Sequence, residues 1–123
     1  MTLLDSNIII YSALPEYEFL LEFIRKKSPF VSDISRVEVL GFRELTAEDI
    51  FYFESFFEST ILITVSEKVI LEAISLRQIR KMSLGDSIVA ATAIVNDLEL
   101  ITSNTKDFKW ISSLKIINPL ENL

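Results

Sequence analysis

Short apolar runs alternate with longer amphipathic stretches along the chain. Runs rich in Leu, Ile and Val predict strands, and apolar residues three and four positions apart predict helices. The predicted strands lie at residues 2–5, 30–32, 61–65, 99–102 and 115–117. The predicted helices lie at residues 6–11, 16–27, 35–42, 46–59, 67–81 and 83–95. This alternation predicts one α/β domain over residues 1–123, a three-layer α/β/α sandwich with a small, mainly parallel sheet.

The segment LGDSIVAATAIV is almost entirely apolar and carries one acidic residue, Asp86, near its start. Its apolar body predicts a helix that is buried in the core. Because this helix leads into the fourth strand, it should run antiparallel to the sheet. Its amino end, with Asp86, should then lie at the carboxyl edge of the strands, where α/β sheets bind their ligands.

Other side chains that carry oxygen atoms are predicted at the same edge. Asp5 ends the first strand, and Glu38 opens the helix that follows the second strand. Asn104 and Asp107 directly follow the fourth strand. We therefore expect four or five polar side chains, Asp86 among them, to share one rim of the sheet.

Each acidic residue also has a purely structural explanation. Asp5 suits the cap of the helix after it, and Ser35-x-x-Glu38 matches a capping box. Ser83 precedes Asp86 at a similar spacing. Acidic residues are favoured at helix starts in general, because they complement the helix dipole.

The combination of these residues favours a binding site. Carboxylates that meet at one edge repel each other by about 4 kcal/mol per close pair at an effective dielectric constant near 20. Helix dipoles offset only about 0.3–1 kcal/mol each. A divalent cation would offset the remaining repulsion.

Composition narrows the chemistry of such a site. The chain has no cysteine and no histidine, which excludes thiol catalysis, imidazole bases, disulfides and Cys/His zinc sites. Carboxylate ligands favour Mg²⁺ or Mn²⁺, and phosphodiester hydrolysis is a natural reaction for these ions. A net charge of −6 argues against a broad basic face for duplex nucleic acid, but it permits nucleic acid handled through metal ions.

The apolar runs are too short to cross a bilayer, although half of the residues are hydrophobic. The first residues lack the basic region and the small-residue cleavage site of a signal peptide. We therefore expect a cytoplasmic protein with no membrane partner.

Two surface features have alternative interpretations. The helix at 46–59 carries aromatic residues over a wide arc, with Phe51 outside it. It is either buried on two sides within one domain or an interface helix in a dimer or partner complex. The basic residues are either solvated surface groups and helix-end charges or contacts to an RNA backbone. They are Arg36, Arg77, Arg80, Lys81 and Lys106.

Four segments together resemble the PIN-domain family, particularly VapC-type toxins of toxin–antitoxin pairs. They are LLDSNIIIY at 3–11, SRVEVLGF at 35–42, GDSIVAATAI at 85–94 and LITSNTKDF at 100–108. The resemblance spans almost the whole chain and preserves the order and spacing of the motifs. It implies a PIN-like fold, a metal-dependent endoribonuclease, a homodimer, and a cognate antitoxin as partner.

The resemblance also implies roles for individual residues. Asp5, Glu38 and Asp86 match the three principal acidic positions, which would hold Mg²⁺ or Mn²⁺. Asn7 would support the first carboxylate through hydrogen bonds. Asp107 is the better candidate for the fourth acidic position, which some members place where this chain has Asn104.

The motif around the fourth position implies supporting residues as well. Thr102, Ser103 and Asn104 would orient the metal ligands or face the phosphate. We expect one or two metal ions at this rim, with Glu38 orienting the attacking water or accepting its proton.

Two other functions remain open at this stage. Phosphoryl-accepting domains of the response-regulator or haloacid-dehalogenase kind share the architecture. The latter carry an aspartate two residues after the first, however, where this chain has Asn7. The second alternative is a catalytically degenerate PIN-like module that binds RNA or a protein partner without cutting.

Overall fold

The computed structural model describes residues 1–121. These residues form five short strands and seven helices in alternation. The strands are β1 (Thr2–Leu4), β2 (Phe30–Ser32), β3 (Ile61–Ile63), β4 (Glu99–Ile101) and β5 (Ile116–Ile117). The helices are α1 (Ser6–Ser12), α2 (Phe19–Lys27), α3 (Asp33–Leu40), α4 (Ala47–Glu58), α5 (Glu67–Ile79), α6 (Leu84–Val95) and α7 (Thr105–Phe108).

The five strands form one sheet in the order β3-β2-β1-β4-β5. All four neighbouring pairs are parallel, which confirms the predicted parallel sheet. After β1, the chain adds β2 and then β3 on one side of β1, and it then crosses to β4 on the other side. The order of the strands therefore reverses between β1 and β4, and ligands of open α/β sheets bind at such a point.

Helices cover both faces of the sheet, which confirms the predicted three-layer sandwich. Successive strand residues point to opposite faces. Leu3 and Leu100 belong to the core formed with α5 and α6. Leu4 and Ile101 belong to a second core, formed with α1 to α4. The middle of α6, residues 87–93, is buried as predicted, whereas Leu84 at its start is exposed.

Two predicted helices have different bounds in the structure. The helix predicted at 16–27 is a single 3₁₀ turn at Pro15–Tyr17 followed by α2. The turn is tightened by the backbone N–H of Glu18, which donates to the carbonyl of Pro15, three residues earlier, at 3.3 Å. The helix predicted at 67–81 ends at Ile79, because the backbone of Arg80 is extended.

The predicted capping box at Ser35 and Glu38 was wrong. α3 begins earlier, with Ser32 as its N-cap, and Ser32 Oγ accepts a hydrogen bond from Ile34 N at 3.2 Å. Ser35 is therefore inside the helix, where it is fully buried. Glu38 lies in the second turn of α3, not at its start, and its side chain is free to bond elsewhere.

Within residues 1–121, no helix has both the length and the apolar character needed to span a membrane.

Candidate functional site

Asp5 lies at the point where the strand order reverses, and its carboxylate is held there from two sides. The side chain is 4% exposed. Ser6 N donates to Oδ1 at 2.8 Å, so Asp5 caps α1 as predicted. Thr102, which follows β4, donates its hydroxyl to Oδ2 at 2.8 Å. The two central strands therefore fix both oxygen atoms of this buried carboxylate.

Glu38 reaches the same region from α3. Its Oε1 lies 2.7 Å from Ser6 Oγ, which donates to it. Ser6 Oγ also lies 2.9 Å from Ser35 Oγ. Because Ser6 directly follows Asp5, the first helix supports both carboxylates.

The carboxylate of Glu38 also lies directly against Gly85 at the start of α6. A Cβ atom at Gly85 would overlap with Oε2 of Glu38 and would lie 2.9 Å from its Cδ. Glycine is therefore required at position 85 for close approach, not for an unusual backbone angle. The absence of a side chain allows the carboxylate of α3 to reach the amino end of α6.

Asp86 lies in the first turn of α6, as predicted. Its backbone N–H donates to Ser83 Oγ at 3.1 Å, so Ser83 is the N-cap. The side chain of Asp86 is half-buried and lines a cleft together with Asp107. Capping thus uses the backbone N–H of Asp86.

The pKa values of Asp5 and Asp86 are raised, by burial first and by neighbouring carboxylates in addition. Burial raises the pKa of Asp5 to about 6; the hydrogen bonds from Thr102 and Ser6 oppose this, and the charges of Asp86 and Glu38 add to it. Burial also raises the pKa of Asp86; the hydrogen bond with Ser83 opposes this shift, and the charges of Asp107 and Glu38 add to it. The fold thus places Asp5, Glu38 and Asp86 within electrostatic reach of one another, and Asp107 within reach of Asp86.

The donor atoms of this site fit a hard divalent cation. They are carboxylate oxygens. Two residues after Asp5, the amide oxygen of Asn7 is buried and has no hydrogen-bond partner within residues 1–121. An unpaired buried acceptor costs about 1–3 kcal/mol, and a cation or its water would satisfy it. In residues 1–121, no three acidic side chains converge to the spacing of a preformed metal cage.

Of the residues expected to support the acidic groups, Thr102 contacts Asp5, whereas Asn7 contacts Ser103 instead. Thr102 bonds to Asp5 directly, and its Oγ1 accepts from Asn104 N at 3.0 Å. Asn7 Nδ2 donates to Ser103 Oγ at 2.9 Å. The expected hydrogen bond from Asn7 to Asp5 is thus replaced by one to Ser103, and Ser6 and Thr102 support the carboxylate.

The remaining predicted residues lie at the rim or outside it. Asn104 is exposed, and its side chain makes no capping bond to α7. Lys106 lines the same cleft as Asp86 and Asp107. Arg36 instead lines a separate pocket on α3 and α4 with Glu54 and Glu58. The arginine also lies 3.7 Å from the carboxylate of Asp33, its neighbour on α3.

Sequence reasoning missed three residues that shape the site. Ser6 bonds to Glu38, Ser35 bonds to Ser6, and Gly85 makes room for the carboxylate of Glu38. The available signals were a serine directly after Asp5, a serine three residues before Glu38, and one of only two glycines, placed directly before Asp86.

Because the pKa of Asp5 is raised, the free energy of unfolding of the metal-free protein should depend on pH. Between pH 3.8 and about 6 the folded state binds this proton more tightly than the unfolded state, so stability falls as pH rises. In EDTA at pH 7.5, Asp5→Asn should therefore raise the free energy of unfolding by about 2–3 kcal/mol. The gain should shrink towards pH 4.

Urea unfolding at several pH values measures this effect. Glu16→Gln, at an exposed position, is the matched control and should change stability little at any pH. A gain from Asp5→Asn that is equal at pH 4 and pH 7.5 would contradict the assignment.

Comparisons with known proteins agree with this geometry. Residues 2–113 match the family model of the PIN domain. No curated protein matches the chain. Among solved structures, a toxin–antitoxin complex from Klebsiella pneumoniae contains a chain that is 28% identical, with coverage of 97% of this chain and 98% of that chain and a TM-score of 0.79.

Two further structures are similar. VapBC-1 from nontypeable Haemophilus influenzae contains a chain that is 25% identical, covering 95% of this chain and 96% of that chain with a TM-score of 0.78. DNA-bound VapBC from Salmonella typhimurium has 18% identity, coverage of 95% and 98%, and a TM-score of 0.82, which shows the fold alone. With the family match over residues 2–113 and the acidic site at the carboxyl edge of the sheet, the chain belongs to the PIN-domain family, with VapC-type toxins as its structural neighbours.

Proposed function

We propose that this chain is a Mg²⁺- or Mn²⁺-dependent endoribonuclease and the toxin of a toxin–antitoxin pair. One observation carries the proposal: a buried carboxylate, Asp5, is fixed by two hydrogen bonds within electrostatic reach of two further carboxylates, Asp86 and Glu38. Repulsion in such an arrangement lowers the stability of the metal-free protein and favours binding of a divalent cation. Membership of the PIN-domain family supports nuclease chemistry.

The acidic residues would hold the ion. Asp5, Glu38 and Asp86 are the principal ligands in this proposal, and Asp107 is the fourth. When bound, the ion would supply a water of lowered pKa and positive charge against the phosphate. Mg²⁺ and Mn²⁺ are both suited to an all-oxygen site.

The protein's own groups would orient the reaction. Ser6 and Thr102 fix the two oxygens of Asp5, and Ser6 also directs Glu38 towards the amino end of α6. Glu38 is more exposed than Asp5, so it is the better group to orient the attacking water or to accept its proton. Lys106, beside Asp107 in the cleft, would contact the RNA backbone.

Asp107 is a better fourth ligand than Asn104. Its charge acts on Asp86, and both side chains line the same cleft. The backbone N–H of Asn104 is bonded to Thr102, while its side chain is exposed. We assign Asn104, with Ser103, a supporting or phosphate-facing role.

A protein partner is part of the proposal. The Klebsiella pneumoniae structure is a toxin–antitoxin complex, and we propose that this chain binds a cognate antitoxin and forms a homodimer. Large apolar side chains on α3 and α4 support an interface there. Val37 is 67% exposed and Phe51 is 74% exposed, whereas Phe53 and Phe57 of the same α4 are buried. The arrangement favours the interface interpretation of α4 over burial on two sides.

Cleavage of single-stranded RNA tests the activity. Wild-type protein should cleave with Mg²⁺ or Mn²⁺ and lose activity in EDTA. Asp86→Asn should lower kcat/KM by about 100-fold or more, since even residues that support metal ligands change activity by about 10- to 100-fold. Asp97→Asn is the matched control, because it places the same substitution at the exposed other end of α6.

The control position has a left-handed backbone, with φ of 54°, which asparagine tolerates. Asp97→Asn should therefore retain full activity. Equal activity of wild type and Asp86→Asn would overturn the assignment. RNA binding without cleavage by the wild type would identify a degenerate PIN-like module instead.

Gly85→Ala should separate activity from stability. Alanine is the better helix former by about 1 kcal/mol, and the added Cβ overlaps with the flexible end of Glu38, not with backbone. We expect unchanged or higher thermal stability and a loss of cleavage of roughly tenfold or more, because the carboxylate is displaced by about 1 Å or more.

A double-mutant cycle checks the cause of this loss. If position 85 acts through Glu38, Gly85→Ala should have no further effect in a Glu38→Ala background. Additive losses in the double variant would show that Gly85 acts on another part of the protein.

A further inference from the structure

A cleft of about 470 Å³ opens beside the acidic residues, between the end of α5 and α7. Asp86 and Asp107 belong to its lining, so the cleft is continuous with the candidate site. Its remaining lining residues are three basic side chains, one aromatic, one apolar and one serine, unlike the acidic residues at the sheet edge. They are Arg80, Lys81, Met82, Ser83, Lys106 and Trp110.

The indole of Trp110 is held in a fixed orientation in this cleft. Its Nε1 donates to the backbone carbonyl of Asp107 at 3.1 Å. The guanidinium carbon of Arg80 lies 5.6 Å from the centre of the ring, a distance typical of cation–π contact. The side chain is only partly buried, so the cleft presents an ordered aromatic surface to a ligand.

This combination matches the chemistry of one nucleotide. Bases stack on aromatic rings and on guanidinium planes. Lysine and arginine side chains contact the phosphates between the bases. A base that stacks on a side chain must first be released from pairing, so such a cleft favours unpaired nucleic acid over duplex.

We propose that the cleft is a nucleotide subsite in which Trp110 and Arg80 stack the base beside the scissile phosphate. Lys81 and Lys106 contact the neighbouring backbone phosphates. This inference rests on the proposed nuclease function and extends it, because it assigns side chains outside the acidic site to the binding of one base. Trp110 is a specificity-determining residue in this arrangement, and it takes no part in bond cleavage.

Intrinsic fluorescence reports directly on this cleft, because Trp110 is the chain's one tryptophan. The full chain in EDTA is titrated with a single-stranded oligoribonucleotide of about eight nucleotides, within the usual site size for such proteins. Stacking should quench the fluorescence. An abasic oligomer with the same number of phosphates and a duplex of the same sequence should quench it far less.

Variants separate stacking from charge. Trp110→Ala should raise both Kd and KM by about 5- to 100-fold, the range for loss of one stacked base. Kd is measured by the fluorescence anisotropy of labelled RNA. The same variant should leave kcat close to that of wild type, and Trp110→Phe should retain most of the affinity. A circular-dichroism melt of both variants verifies folding.

Lys81→Ala should weaken binding and lower the slope of log K against log salt by about 0.7, the value for one single-strand phosphate contact. Trp110→Ala should leave that slope unchanged. Lys68→Ala, an exposed cation at the opposite end of α5, is the matched control and should alter neither the affinity nor the slope.

The outcomes distinguish this inference from the proposed function. Active wild-type enzyme without base-dependent quenching, or with unchanged KM in Trp110→Ala, overturns the subsite and leaves the nuclease. Base-dependent quenching in a protein that does not cut RNA supports the subsite and overturns the nuclease. Equal quenching by the abasic oligomer or by an acidic peptide overturns the subsite and identifies a general polyanion or protein contact.

Discussion

The carboxylate of Asp5 is buried where the strand order of a parallel sheet reverses, and two hydrogen bonds from the flanking segments hold it there. Burial next to other negative charges raises the pKa of Asp5 to about 6. A buried carboxylate of this kind lowers the stability of the fold unless a bound ligand offsets its charge. Enzymes commonly place strained or costly groups where their function requires them.

The surrounding structure brings other carboxylates to this group by separate local means. Ser6 joins α1 to α3 by bonding Glu38, and Gly85 lets the same carboxylate approach α6. Ser83 caps α6 through the backbone N–H of Asp86 and so fixes the start of the helix that carries this carboxylate. The amino ends of α1 and α6 and the second turn of α3 therefore meet at one point, although they are far apart in sequence.

The sequence predicted the parts of this arrangement that depend on local pattern. The sequence correctly placed Asp5 after β1 and Asp86 in the first turn of α6, because apolar runs and helix caps are local features. The cap of α3 was misplaced, since Ser32 and Ser35 are both plausible caps and only packing decides between them. The Ser6–Glu38 bond and the close contact at Gly85 depend on how helices pack, which no local pattern encodes.

Thermal unfolding with and without Mn²⁺, in metal-free buffer of matched ionic strength at pH 7.5, tests the central claim most directly. A cation at one hundred times its Kd stabilises a protein by about 2.7 kcal/mol. Wild-type Tm should rise by several degrees in millimolar Mn²⁺. Asp5→Asn should melt higher than wild type without metal and should respond far less. A wild-type Tm that ignores Mn²⁺ would contradict the account.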